Sequence, residues 1–137
     1  MKNTPPLAFS IEKASIVLRT KESFTIWCND IIPHMPRVGR YTTGARIENH
    51  FLDLLELIYK AYYANIENKS IVIIKAITKN DIIKYLLQIA FENKLIKEKQ
   101  YLELSNKLQE VGKILGGWKN SIENKLIKQK TSQNNER

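Results

Sequence analysis

Tyr101-Leu102-Glu103-Leu104-Ser105-Asn106-Lys107-Leu108-Gln109-Glu110-Val111-Gly112-Lys113-Ile114-Leu115-Gly116-Gly117-Trp118-Lys119-Asn120-Ser121-Ile122 is the stretch that decides the fold. Within it Tyr101, Leu104, Leu108, Val111, Leu115, Trp118 and Ile122 recur at alternating steps of three and four. That spacing places them on one stripe of an α-helix. A stripe sustained over three heptads specifies left-handed helix packing at a shallow crossing angle, so a bundle is predicted. Gly116 and Gly117 fall inside this pattern, and each costs about 1 kcal/mol relative to Ala in a helix interior. Gly112 stands four residues before Gly116, which lines them up as a small-residue groove. Such a groove admits another helix closely, of the same chain or of a neighbouring subunit, with Trp118 as an anchor. A kink in a long helix is the alternative.

Upstream, three further helices are predicted. Ser10 to Lys21 is ambiguous, because Ile16-Val17-Leu18 is largely β-branched and suits an extended chain. From Glu22 a helical period runs through Phe24, Trp27, Cys28, Ile31 and Ile32, bounded by Pro33 and Pro36. Residues 36–41 read as a short loop. Thr42 or Thr43 then caps a second helix, whose face is Ile47, Phe51, Leu54, Ile58 and Ala61. A second row beside it, Leu52, Leu55, Tyr59 and Tyr62, widens the apolar surface beyond what one neighbour covers. A third helix is predicted from about Ser70 to Asn93, with Ile74, Thr78, Ile82, Leu86 and Ile89 as its face, Ile83, Leu87 and Ala90 beside it, and Asn93 as its stop. Ile71-Val72-Ile73-Ile74 could form a strand, but no second strand is evident to pair with it.

The expected fold is therefore all-α, an up-and-down four-helix bundle over residues 10–127. An irregular arm precedes it (residues 1–9, with Pro5 and Pro6), and a polar, disordered tail follows (residues 128–137). A three-helix bundle with a loose N-terminal segment is the runner-up. At 137 residues, 43% apolar and 26% charged, the composition excludes a disordered chain. No leader begins the chain and no apolar run nears the roughly 18 residues of a membrane span, so cytoplasmic residence without membrane contact is expected.

Little in the sequence supports catalysis. His34 and His50 are the two histidines, and neither has a metal-ligand spacing with another residue. Glu48 and His50, two apart, cannot share a helical face. No phosphate-binding glycine loop, nucleophile elbow or paired-cysteine motif occurs. The single cysteine, Cys28, reads as a buried structural thiol. We therefore expect no catalytic residue, no metal and no cofactor.

Charge points towards binding instead. The net charge is +8, with +4 of it on residues 96–137 and −1 on residues 46–66. Lys113, Lys119, Lys125, Lys128 and Lys130 are offset by Glu123 alone. A basic helix end suits phosphate contact without sequence specificity, while a solvated lysine face explains it equally well. Candidate nucleic-acid contacts are Arg37, Arg40, Lys113, Lys119, Lys125 and Lys128.

Arg40-Tyr41-Thr42-Thr43-Gly44-Ala45-Arg46-Ile47-Glu48-Asn49, followed by Leu54-Leu55-Glu56-Leu57-Ile58, resembles the second-helix signature of the Avd-like proteins, accessory variability determinants of diversity-generating retroelements. The resemblance continues through Tyr101-Leu102-Glu103-Leu104-Ser105 and Val111-Gly112-Lys113-Ile114-Leu115-Gly116-Gly117-Trp118, and covers roughly Pro33 to Ser121. It implies a four-helix bundle assembling into a barrel-like homopentamer with a basic surface. It further implies binding to a reverse transcriptase and to RNA or DNA, in support of mutagenic retrohoming, with no catalytic activity. By motif position Arg46, Glu48, Asn49, Gly116, Gly117 and Trp118 carry over as family-defining, with Gly112 as a packing position. Two features depart from the pattern: the helix 3–4 junction, residues 93–99, lacks a glycine, and residues 71–77 are rich in β-branched side chains. Related bundles occur outside retroelements, so a helical interaction module unrelated to them is the alternative function.

Overall fold

The computed structural model describes residues 14–135, which excludes the predicted arm at residues 1–9. Four long helices run up and down: α1 (Ser15–Ile26), α2 (Ala45–Tyr63), α3 (Ile66–Glu92) and α4 (Glu98–Asn135). No strand occurs among the described residues.

The ambiguous first segment is helical from Ser15. Its buried positions are Ile16, Val17, Thr20 and Ser23, followed by Trp27 and Ile31. The helical period is hidden in the sequence because hydroxyl residues take two core positions. Thr20 Oγ1 donates to the Ile16 carbonyl at 2.7 Å and Ser23 Oγ to that of Arg19 at 3.0 Å, so neither hydroxyl is buried unpaired. Beyond α1 the chain widens into a π turn (Trp27–Ile31), tightens to a 3-10 turn (Ile32–His34) and becomes extended at Met35.

The expected loop at residues 36–41 is not a loop. Arg37–Gly39 is a helical turn and Arg40–Gly44 a π turn that leads into α2 without a break. Neither Thr42 nor Thr43 caps it, and Thr42 Oγ1 instead donates to the Val38 carbonyl at 2.8 Å. Packing explains the two glycines. A Cβ on Gly39 would stand 2.9 Å from Leu95 Cδ2, and one on Gly44 would stand 2.9 Å from Ile32 Cδ1 and 3.1 Å from Met35 Sδ.

In α2 the expected face, Ile47, Phe51, Leu54, Ile58 and Ala61, is entirely buried. In α3, which starts at Ile66 with Asn65 capping the Asn68 N–H at 3.0 Å, the row expected beside the main face, Ile83, Leu87 and Ala90, is buried, but the main face turns partly outward. Ile73, Ala76, Asn80, Ile83, Leu87 and Ala90 point inward, whereas Ile74 and Ile82 are exposed. The inner row is the less bulky one because α4 approaches closely there. A Cβ on Gly112 would lie 3.2 Å from Asn80 Nδ2, which donates to the Leu108 carbonyl at 3.0 Å. The β-branched run at residues 71–74 is helical.

The junction to α4 replaces the missing glycine with Lys94, which takes φ 61°. The helix stops at Asn93 as expected, but the left-handed residue is Lys94, and the Lys94 and Leu95 amides donate back to the Phe91 and Ala90 carbonyls, both at 2.9 Å. Gln100 Oε1 accepts the Lys97 N–H at 2.9 Å and opens α4. The seam Leu104, Leu108, Val111, Leu115 and Ile122 is buried as expected, with Tyr101 before it and Trp118 within it partly buried. The tail expected from residue 128 continues α4 to Asn135. Lys and Gln are good helix formers and nothing there breaks the helix.

One core, centred on Trp27, Phe51, Leu54, Ile83, Leu104 and Leu108, unites all four helices. A smaller one, Ala61, Ile73 and Ile122, joins α2, α3 and α4 without α1. Antiparallel ion pairs, Arg19–Glu110 at 2.8 Å and Glu22–Lys107 at 2.7 Å, set α1 against α4.

Candidate functional site

The six candidate cations do not form one patch. Arg37 and Arg40 lie at the α1–α2 turn, where Arg40 Nε donates to the Met35 carbonyl at 2.9 Å and Nη2 to that of Pro33 at 3.1 Å. These bonds satisfy carbonyls left over at the end of the preceding helical turn, so Arg40 ties the turn together. Residues 37–63 form about seven helical turns, which separates this end of α2 from the other by about 40 Å.

Lysines gather at that other end. Lys69 Nζ donates to the carbonyls of Ala61 and Tyr62, both at 2.8 Å, closing the C-terminus of α2. Burial and then the charge of Lys125 hold its ammonium below the ordinary lysine range. Lys125 and Lys128 are exposed on α4. Lys119 projects from a different side and pairs with Glu123 at 3.4 Å. Lys113 is exposed higher on α4.

The motif residues divide by direction. Glu48 faces the π turn after α1, where its carboxylate accepts from the Cys28 thiol at 3.5 Å. Burial, then Glu48, pushes this half-buried thiol up to about 11. Arg46 and Asn49 are exposed and, with Thr42, Thr43, Ile47, Leu86 and Ile89, line an open cavity of about 580 Å³ between α2 and α3. A Cβ on Gly112 would press on Asn80, but one on Gly116 or Gly117 would meet nothing within 4 Å. The close contact expected at that pair is therefore absent within the described chain. Trp118 bridges the two cores from a partly buried position.

Two surface features escaped sequence reading. Ile71, Ile74, Ile82 and Tyr85 make an exposed stripe along α3 that leads towards the cavity. The other is an aromatic cluster at the end of α2. Tyr59, 52% exposed, meets Tyr63 with ring centroids 4.9 Å apart, and Tyr62 meets Tyr63 at 5.1 Å. The only hint was the second apolar row on α2, which includes Tyr59 and Tyr62. On the α2–α3 face, Lys79 Nζ bonds His50 Nδ1 at 3.0 Å and lies 3.5 Å from Asp53. Burial, then Lys79, keeps His50 below the ordinary histidine range.

No group of three metal-ligating side chains occurs among the described residues, and none of their helices is long and apolar enough to cross a membrane. The arrangement offers a cationic, tyrosine-bearing end and an uncovered apolar stripe, both suited to binding. A family model described as bAvd-like matches residues 15–122, most of the chain. No curated protein and no solved structure matches it.

Proposed function

This chain belongs to the bAvd-like family, and from that membership we propose that it is a non-enzymatic accessory protein of a diversity-generating retroelement. In this reading it assembles with copies of itself into a barrel-like homopentamer. It engages a reverse transcriptase, and it binds RNA or DNA without sequence specificity.

The observation that carries the assembly is the stripe Ile71, Ile74, Ile82 and Tyr85, from 37% to 63% exposed in the single chain. Large apolar side chains in a row on one helix mark an interaction surface. The second apolar row of α2, with Leu52 47% and Tyr59 52% exposed, adds to it. Nucleic-acid contact rests on the net charge of +8 and on Lys125 and Lys128 at the α2–α3 turn end.

Light scattering of the full chain tests the assembly. A multimer that Ile74→Glu with Ile82→Glu reduces to folded monomer supports it, and a wild-type monomer at micromolar concentration defeats it. Co-purification with the reverse transcriptase of the same retroelement tests the partner.

A further inference from the structure

One polar contact between α2 and α3 depends on which of its groups carry protons. Lys79 Nζ on α3 lies 3.0 Å from Nδ1 of His50 on α2, and 3.5 Å from the carboxylate of Asp53, one turn further along α2. An ammonium has protons to give and no lone pair to accept with. Nδ1 is therefore the acceptor, which puts the ring proton on Nε2 and requires a neutral ring. The Lys79 side chain is only 21% exposed, so water does not simply take the place of Nδ1 when that acceptor is lost.

We propose that His50 and Lys79 form a proton-released clasp between α2 and α3, in which the neutral ring holds the ammonium and protonation of the ring opens the bond. A protonated Nδ1 donates instead of accepting, and it leaves two cations facing each other across a contact of 3.0 Å. The surrounding charges do not compensate. On α2 they are Arg46, one turn before the ring, and Asp53, one turn after it; on α3 the charge is Lys79. Two cations thus face the ring against one carboxylate, and Asp53 is already shared with Lys79. Burial first, then Lys79 and Arg46, hold the ring below the ordinary histidine range, with Asp53 opposing them. Arg46 lines the α2–α3 cavity and Ile82, one turn beyond Lys79, belongs to the exposed stripe. The join that acid releases is therefore the one that sets α2 against α3 beside both features.

A histidine held below its unfolded value of about 6.5 contributes stability that is present above that value. The contribution is lost as pH falls through it towards the folded value. The test is proton–nitrogen correlation NMR of the histidine rings in the full chain, with urea melts at about pH 8 and about pH 5. At the higher pH the His50 proton should sit on Nε2, and the urea midpoint should fall between the two. His50→Gln offers Lys79 an amide oxygen that does not titrate, and should remove most of that fall. Lys79→Met should move the His50 titration upward, and Asp53→Asn should move it downward. A ring proton on Nδ1 at the higher pH overturns the clasp. So does a folded His50→Gln chain whose midpoint falls as far as the parent's, or a His50 titration that Lys79→Met leaves unmoved. The tautomer is read on the parent chain, so a variant that fails to fold leaves the proposal open to refutation.

Discussion

Asn80 Nδ2 donates to the Leu108 carbonyl oxygen at 3.0 Å, joining α3 to α4 at a fully buried point where Gly112 leaves room for the amide. The other amide atom, Oδ1, has no protein partner, so this crossing is polar on one side only. Replacing Asn80 with Asp puts a carboxylate beside a carbonyl oxygen in a dry interior, where a charge without a partner is strongly disfavoured. The acid is then held neutral, its folded pKa raised above its unfolded value near 4. Stability is present below the unfolded value and is lost as pH rises through the folded one. Urea melts of Asn80→Asp should show little loss near pH 3.5 and a loss of about 3 kcal/mol or more at pH 7.

Lys94 holds φ 61°, a left-handed conformation that costs a side-chain-bearing residue about 1–2 kcal/mol. Glycine adopts it without strain but loses more backbone entropy on folding. Lys94→Gly should therefore stabilise the chain by about 0.5–1 kcal/mol, seen as a higher denaturation midpoint at unchanged slope. A lower midpoint would show that the lysine side chain contributes more than its backbone costs.

The glycines should answer alanine with opposite signs. Gly44→Ala forces Ile32, Met35 and the Gly39 carbonyl apart and should cost about 1–3 kcal/mol. Gly116→Ala and Gly117→Ala enter open space and should each gain up to about 1 kcal/mol in helix propensity. If these last two destabilise an assembled form while stabilising the monomer, the pair lies against a neighbouring copy.

The Cys28 thiol, pushed up to about 11 by its burial and by Glu48, should alkylate slowly at pH 8. Because the folded thiol ionises later than the unfolded one, stability should fall as pH rises from about 9 through 11. Glu48→Gln should speed iodoacetamide labelling of the native chain at a given pH. An unchanged rate would separate the thiol from that carboxylate.

Where the sequence could be read, one side of a helix was both bulky and apolar. The α4 seam and the buried row of α2 meet that condition, and both were legible by residue number. In α1 the stripe passes through Thr20 and Ser23, hydroxyls that turn back onto their own helix, so a count of apolar residues starts too late. In α3 apolar side chains encircle the helix, and the inner row holds Ala76, Asn80 and Ala90 because α4 comes close. Bulk therefore pointed to the outer row. Gly39 read as a loop residue although it sits inside a helical turn, where Leu95 and Met35 press on it. Of the candidate site, the cations were legible but not their separation, since Arg40 and Lys125 belong to opposite ends of α2. Lys69 was missed because nothing in its sequence context shows that it reaches the carbonyls of another helix.

Among the described residues the small core holds three helices where the larger one holds four, and α4 runs on past both to Asn135. The far stretch of α4 therefore has fewer side chains to hold it than the stretch at Leu104 and Leu108, and its amides should be the first of that helix to exchange with solvent.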